Sequence, residues 1–390
     1  MRVLFVPLPW PTHIFPVVGL AWACRLAGGD VRVAVDDSMT DVVVTAGLTP
    51  VPLGDGFDFM ADLRTTRELP PWDGPGATLT GSQRSRPLDR YLSVAEAQID
   101  ALSAFAGHWR PDVVVFDPMN FAGPLVAQQL GVPAVRHLWG PDITRLLGWP
   151  GMGNAQIEWP ERLADLFARH GGKPVDDLAA LTVDPCPAVL QVDGHPHRVT
   201  IRPVPYNGPG WLPDDLAAAP ARRRVLVTWG TAATQVGGAK EFGVPRILQA
   251  LADEDVDVVV AATRRDAEQL DSVPANARVL TGVPLHTVLP TCAAIVHQGG
   301  GGTLLTSAFY GVPQLAVVTE PNQRITSAGL PDTGAGVLMP VQDAEPEHVR
   351  AAVWRLLDEP AYQAAAAGLR TQLLAQTPPA ELAARLRELG

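Results

Sequence analysis

The sequence predicts an α/β protein made of two Rossmann-like, doubly wound halves, and three observations carry that expectation. Short apolar runs, among them residues 2–6, 31–35, 112–116 and 225–229, alternate with stretches of helical periodicity, the pattern of parallel strands covered by helices. A helix is followed by Gly-Val-Pro and a new strand twice, at Gly131-Val132-Pro133 and at Gly311-Val312-Pro313. Between these repeats residues 203–213 break the pattern, with Pro205-Tyr206-Asn207-Gly208-Pro209 near the centre and Arg222-Arg223-Arg224 soon after. The expected division is a first domain at 1–205, a linker at 206–222, a second domain at 223–375 and a C-terminal helix at 376–390 that returns to the first domain. Ligands of open parallel sheets collect at the carboxyl ends of the strands, so the site is expected in a cleft between two facing halves.

At 390 residues and 47% hydrophobic content, the chain holds enough apolar material for two cores. Its formal charge of −11 argues against nucleic acid as a partner, so an anionic ligand has to be met by local amides, dipoles and a few basic side chains. Lys173 and Lys240 are the only lysines, which leaves arginine to carry the positive charge. Cys24, Cys186 and Cys292 are widely spaced, in no metal or redox pattern, and read as buried thiols. The chain starts directly in a strand and has no apolar run long enough to span a bilayer, from which a cytoplasmic protein without membrane contact is expected.

Taken in order, strand 2–6 leads through the stiff segment Pro7-Leu8-Pro9-Trp10-Pro11-Thr12-His13 into a helix at 15–27, which stops at Gly28-Gly29 before strand 31–35. That order sets His13 at the carboxyl edge of the first sheet. Residues 52–86 lose periodicity and are rich in Gly, Pro, Thr and aromatics. Phe57, Phe59, Met60 and Trp72 there are read as the wall of an acceptor pocket, although a plain surface loop fits equally well. After a helix near 92–106, strand 112–116 delivers Asp117 to the same edge as His13, with Asn120 just beyond it. Helix 121–130 is capped by Gly131, and strand 134–138 ends in Trp139-Gly140-Pro141 on the same side, so Asn120 and Trp139 join the acceptor wall. A histidine at one strand edge and an aspartate at the next suit a general base and the carboxylate that fixes its tautomer.

In the second half, strand 225–229 runs into the turn Gly230-Thr231, followed by a helix at 244–251 and strands 256–261 and 278–280. An apolar run at 293–296 then enters His297-Gln298-Gly299-Gly300-Gly301-Gly302-Thr303, and a helix is expected at 304–310. Four glycines let the backbone turn tightly and approach a ligand, and the helix behind them points free N–H groups at whatever sits there. The stretch therefore reads as an anion site. Backbone amides, the helix dipole, the Thr303 hydroxyl and the His297 imidazole would hold a diphosphate, with Thr231 as a further hydroxyl. A flexible turn without a ligand is the bland alternative. The pattern lacks the Gly-Lys-Ser/Thr ending of nucleotide-hydrolase loops and lies far from the N-terminus, where dinucleotide folds carry their glycines. Residues 346–390 read as helical and alanine-rich, with breaks at Pro360 and Pro378-Pro379.

Several of these stretches together resemble the GT-B glycosyltransferases that decorate macrolide and aromatic polyketide antibiotics. The residues that carry the likeness are Pro11-Thr12-His13, Leu20-Ala21-Trp22-Ala23, Leu138-Trp139-Gly140-Pro141-Asp142-Ile143, Tyr206-Asn207-Gly208-Pro209, Leu289-Pro290-Thr291-Cys292, and the glycine stretch with Gly311-Val312-Pro313-Gln314. The likeness runs from end to end of the chain. It implies the GT-B fold, an acceptor domain followed by a nucleotide-sugar domain, and inverting transfer of a deoxysugar from a dTDP-sugar to a hydrophobic polyketide or macrolide-type aglycone. No cofactor and no metal are implied.

Carried over residue by residue, the resemblance makes His13 the catalytic base and Asp117 its orienting carboxylate. It places His297, Gly300, Gly301, Gly302 and Thr303 on the diphosphate. Val283, in Gly282-Val283-Pro284-Leu285, falls in the loop whose backbone reads the base, and a turn before a short helix fits it nearly as well. Asn322-Gln323 stands where the family places Asp-Gln against sugar hydroxyls. The neutral Asn322 departs from that pattern, with Glu320 nearby as a substitute carboxylate. C-glycosylation of an aromatic polyketide remains an alternative, and so does a non-catalytic auxiliary homologue, which would have lost the His13 and Asp117 pair. Residues 52–86 look shorter than in relatives that need an activator protein, which disfavours such a partner, and a homodimer stays open.

Overall fold

Every strand read from the sequence pairs parallel to its neighbours, because the connections carry the chain back across a face of the sheet each time. The computed structural model describes all residues except 66–80, 155–156, 193–196, 232–233, 236–237, 239–241 and 320, and omits the side chains of 65, 81–87 and 321. The chain divides into two compact units. Unit 1 comprises Met1–Cys186, Gln191–Tyr206 and Gln376–Gly390, and unit 2 comprises Pro187–Leu190 and Asn207–Ala375.

The sheet of the first unit contains β1 (Arg2–Val6), β2 (Asp30–Val35), β3 (Pro50–Pro52), β4 (Val113–Phe116), β5 (Ala134–His137), β6 (Leu181–Asp184) and β7 (Arg198–Thr200), in the order β3-β2-β1-β4-β5-β6-β7. Val3 of β1 lies opposite Val31 on one side and Val113 on the other. The sheet of the second unit contains β8 (Arg224–Thr228), β9 (Asp257–Ala262), β10 (Ala277–Thr281), β11 (Ala294–His297), β12 (Gln314–Val318) and β13 (Gly336–Pro340), in the order β10-β9-β8-β11-β12-β13. Val225 of β8 faces both Val258 and Ala294. In each sheet the chain builds outward from its first strand in one direction and then resumes in the other. The reversals fall between β1 and β4 and between β8 and β11, and such points open a crevice at the carboxyl edge.

β3, β6, β7 and β13 escape a reading by periodicity. β3 and β7 are three residues long, and β3 carries prolines that only an edge strand tolerates. The irregular stretch 52–86 is also partly helical, with helices at Phe59–Thr65 and from Gly81 to Trp109. The Asp58 carboxylate accepts the Ala61 N–H at 2.8 Å, an N-cap signal that polar composition obscured.

The first core packs β1, β2 and β4 against the Pro11–Leu26 helix through Val3, Phe5, Val113, Val17, Leu20 and Ala21. The other side of that helix receives Leu382, Ala383 and Leu386 of the Pro379–Leu389 helix. Two hydrogen bonds tie the approach to this helix into the first unit, Arg202 N–H to the Thr377 carbonyl at 2.8 Å and Gln376 Nε2 to the Cys186 carbonyl at 3.0 Å. The second core places Val225, Val227, Val258 and Val296 beneath the Val244–Leu251 and Pro346–Asp358 helices. Residues 207–222 belong to this unit, and Leu216 within them is fully buried beside Leu226 and Val259. Burial pushes the Cys24 and Cys292 thiols up to about 12, so both stay protonated at neutral pH. Among the described residues no helix is long and apolar enough to cross a membrane.

Leu386→Ala removes a fully buried side chain from the contact between the last helix and the first core. It is expected to cost about 2–5 kcal/mol, the usual range for such a cavity, read from equilibrium urea unfolding. A variant as stable as its parent would show that the last helix adds nothing to the first core.

Candidate active site

The segment after β1 starts a helix at Pro11, with Trp10 in an extended N-cap conformation and proline at the first helical position. That start holds His13 in the first turn, at the carboxyl edge of β1. Asp117 follows β4, the strand beside β1, and its Oδ2 lies 2.7 Å from His13 Nδ1. The aspartate side chain is 2% exposed and the histidine 13%. Asp117 Oδ1 accepts the Met119 N–H at 2.8 Å, so both carboxylate oxygens are engaged and the group cannot swing away. An ionised carboxylate only accepts hydrogen bonds, which places the ring proton on Nδ1 and leaves Nε2 as a free acceptor. The Trp139 ring meets His13 edge-on, with centroids 4.9 Å apart, and its indole nitrogen is buried with no partner among the described residues.

Asn120 does not join an acceptor wall. It is fully buried, its Nδ2 donates to the Pro7 carbonyl and to Gln98 Oε1, each at 2.9 Å, and its Oδ1 accepts the Ala122 N–H. Gln98 in turn donates to Asp36 at 2.6 Å. This buried network holds the segment leading to His13, and sequence proximity to Asp117 alone concealed it. Phe59 sits in a run of rings, Trp10–Phe59–Tyr91–Trp149–Phe121, with successive centroids 5.2 to 6.5 Å apart. Phe57 and Met60 are half-buried next to it, and Trp72 lies outside the described residues. Tyr91 and Trp149 were not singled out in sequence, because each falls in a stretch read only for helix or left unread.

In the second unit β11 ends at His297, which is fully buried. Its Nδ1 accepts the Gly299 N–H at 3.0 Å, so its Nε2 carries the proton and donates to Gln314 Oε1 at 3.0 Å. Burial lowers the imidazole pKa to about 4, against the opposing pull of the Gln314 hydrogen bond, so the ring is neutral. The expectation that the His297 imidazole faces a diphosphate is therefore corrected: both ring nitrogens are taken, and the residue braces the glycine turn. Gly299 has φ of +87°, and a Cβ there would lie 2.7 Å from Val318 Cγ1 and 2.9 Å from Ser327 Oγ. Only glycine fits. The turn is fixed from outside as well, since Ser327 donates to the Gly299 carbonyl at 3.0 Å.

The helix behind the turn spans Gly301–Tyr310, three residues longer at its start than the periodicity indicates, with Gly300 as an extended N-cap. Its first internal bond runs from the Leu304 N–H to the Gly300 carbonyl, and no side chain caps it. The N–H groups of Gly301, Gly302 and Thr303 thus lack helical partners, and no acidic residue sits in the first turn to compete for them. Thr231, in the turn after β8, has a buried hydroxyl with no partner among the described residues, and Gln298 has a buried Oε1 in the same state. The Gln298 carboxamide rests against Gly230, whose φ of +68° and missing Cβ make room for it. In sequence a polar residue beside four glycines reads as part of the turn, so Gln298 carries no signal of its own.

Val283 follows β10, half-buried against the second unit's smaller apolar cluster, just before the Leu285–Val288 helix. Asn322 is exposed at the start of the Pro321–Ser327 helix, where its Oδ1 accepts the Gln323 N–H at 2.9 Å. Gln323 Oε1 accepts from both the N–H and the hydroxyl of Thr319 at 3.0 Å. Glu320 lies outside the described residues. Gly230 to Thr231, the glycine turn, Val283 and Asn322 to Gln323 thus all follow strands of one sheet at its carboxyl edge. Among the described residues no three His, Cys, Asp or Glu side chains gather as a metal site.

The buried groups make stability depend on pH in a defined window. His297 and His137, both held at about 4 by burial, refuse protons that the unfolded chain takes up below its value of 6.5, so stability falls as pH drops from 6.5 toward 4. Asp36, raised by burial to about 6 from 3.8, acts oppositely, because the folded chain keeps a proton that the unfolded chain releases between those values. Two histidines outweigh one aspartate. A net loss of about 2–3 kcal/mol is expected between pH 7 and pH 5, read as a lower urea midpoint. Equal or greater stability at pH 5 would contradict this assignment of buried charge.

Two family models match the chain, both described as erythromycin biosynthesis protein CIII-like: the N-terminal domain over residues 79–230 and the C-terminal domain over 245–389. The 3-alpha-mycarosylerythronolide B desosaminyl transferase of Saccharopolyspora erythraea is 35% identical over 100% of this chain and 98% of its own length. The 10-deoxymethynolide desosaminyltransferase of Streptomyces venezuelae is 32% identical over 100% and 97%. Among solved structures, spinosyn forosaminyltransferase SpnP superposes with a TM-score of 0.83 at 33% identity, covering 100% of this chain and 99% of that one. The glycosyltransferase VinC in complex with dTDP gives 0.83 at 31% identity with the same coverage. The two parallel-sheet domains match those of GT-B glycosyltransferases, and the protein is a glycosyl transfer enzyme. The chain belongs to the erythromycin biosynthesis protein CIII-like family, the natural-product deoxysugar glycosyltransferases.

Proposed function

We propose that this enzyme moves a deoxysugar from a dTDP-sugar to a hydroxyl of a polyketide or macrolide-type aglycone, in one inverting displacement without a metal ion. The observation that carries the proposal is the presence in one chain of a carboxylate-held histidine, in the first unit, and an uncapped glycine-built helix start, in the second. The dTDP held by VinC, and the 3-alpha-mycarosylerythronolide B and 10-deoxymethynolide that the two desosaminyl transferases are named for, support the choice of donor and acceptor.

In this reading His13 Nε2 takes the proton of the acceptor hydroxyl as its oxygen bonds to the anomeric carbon. The bond from that carbon to the diphosphate breaks, and its electron pair leaves with dTDP. Asp117 keeps the proton on Nδ1 beforehand and stabilises the imidazolium afterwards. Charge building on the diphosphate oxygens meets the N–H groups of Gly301, Gly302 and Thr303 and the positive end of their helix. These groups do the work of a cation without one. Thr231 and Gln298 complete the cradle with polar atoms that have no partner among the described residues. One displacement inverts the anomeric centre.

Adding dTDP at a hundredfold excess over its Kd is expected to stabilise the protein by about 2.7 kcal/mol, with or without EDTA. A thermal midpoint indifferent to dTDP, or an effect that EDTA abolishes, would defeat the metal-free donor site.

His13→Ala is expected to bind dTDP normally while transfer falls by about 10²–10⁴, the range for loss of a general base. Asp117→Asn should fall as far. The asparagine oxygen stays on the Met119 N–H, so its amide nitrogen faces Nδ1 and forces the ring proton onto Nε2. Near-normal turnover in either variant, measured by product mass over time, would assign the base elsewhere.

A further inference from the structure

The chain passes from the first unit to the second between Tyr206 and Asn207. Asn207 is half-buried, and every polar atom of its carboxamide is engaged within the second unit. Its Oδ1 accepts the His286 backbone N–H at 3.1 Å and lies 3.2 Å from His286 Nδ1. A backbone N–H can only donate, which fixes the orientation of the amide and turns Nδ2 toward Thr306 Oγ1, at 3.2 Å. Burial lowers the His286 pKa, so a neutral ring donates from Nδ1. The Thr306 hydroxyl donates onward to the Gly302 carbonyl at 2.6 Å.

The two ends of this relay are the two loops that the proposed donor site uses. His286 lies in the Leu285–Val288 helix, directly behind Val283 and Pro284. Gly302 lies in the first turn of the helix whose free amides face the diphosphate. The linker is also seated on the first of these loops, since a Cβ on Gly210 would strike the Gly282 carbonyl and the Pro284 ring. Gly208, next to Asn207, is buried with φ of +90°, a turn that keeps the carboxamide pointed at both partners.

Resting on the donor-site reading above, we infer that Asn207 is a positioning residue that fixes the distance between the loop for the nucleoside and the loop for the diphosphate. Each loop keeps its internal contacts when Asn207 is removed, but the His286 N–H and the Thr306 hydroxyl lose the partner they share. A ligand that spans both then has to reset their spacing on binding, whereas a ligand that uses one loop does not.

The test compares dTDP with thymidine by isothermal titration calorimetry in the full chain. For Asn207→Ala, dTDP affinity should fall about tenfold, the worth of one or two net hydrogen bonds, while thymidine affinity stays within about twofold. The KM for the donor should rise about as much, with kcat and the acceptor KM held within about twofold. Thr306→Val cuts the relay from the other end without touching the linker. It should reproduce the effect on dTDP, and the double variant should be no worse than either single one, because both break one path. Wild-type dTDP affinity in Asn207→Ala, equal losses for thymidine and dTDP, or additive effects of the two substitutions would each overturn the inference. If Asn207→Ala does not fold, Thr306→Val alone decides between selective loss for dTDP and none. A wild-type chain that binds no dTDP overturns the donor-site reading and this inference with it.

Discussion

An all-parallel sheet obliges the chain to return to the same starting end after every strand, so each segment that leaves a strand emerges at the carboxyl edge. The sites described here depend on that constraint. In the first unit the segments after β1 and β4, which flank the reversal of strand order, bring His13 and Asp117 within a hydrogen bond of each other although 104 residues separate them. In the second unit the segments after β8 and β11 flank the corresponding reversal and carry Thr231 and the glycine turn. The first pair meets without a special backbone conformation, whereas the second pair needs the left-handed glycines Gly230 and Gly299. The sheet supplies the meeting point, and short-range chemistry adjusts it, through Met119 in one case and through His297 and Gln314 in the other.

The donor site proposed for the second unit would meet negative charge by neutral means. The chain has a formal charge of −11 and only two lysines among its basic residues. Several arginines are committed elsewhere, as Arg224 is to Asp257 and Arg136 to Asp177. His297 is not a cation either, since burial keeps its ring neutral and both nitrogens are bound. In that proposal the three N–H groups without helical partners at the start of the Gly301–Tyr310 helix form a fixed dipolar site, and glycine keeps side chains out of its way.

Much of this was legible in the residues. Apolar runs with glycine and proline punctuation located the longer strands, and the proline-stiffened segment before His13 together with a buried strand before Asp117 located the pair. The failures have physical causes. His297 ends a buried strand, and from sequence a ring at that position can face out to a ligand or inward to a glutamine seventeen residues away. Asn120 follows Asp117 closely, but its direction is set by Pro7 and Gln98, which lie 113 and 22 residues away in the chain. Three-residue strands have too little length for a period, and the Phe59–Thr65 helix announces itself mainly through one capping aspartate. Contacts over such separations leave no local signature.

The last helix carries a consequence for the order in which the protein becomes itself. The first unit includes residues 376–390, and Leu382, Ala383 and Leu386 cover one side of the helix that carries His13. During synthesis the opening 186 residues emerge long before that cover exists, so their helix waits with an apolar side open to water. The stretch Asn207–Ala375 has no such dependence and can close its own core as it leaves the ribosome. The first unit therefore closes only after residues 379–389 are made, and until then its Pro11–Leu26 helix keeps an apolar side open to water.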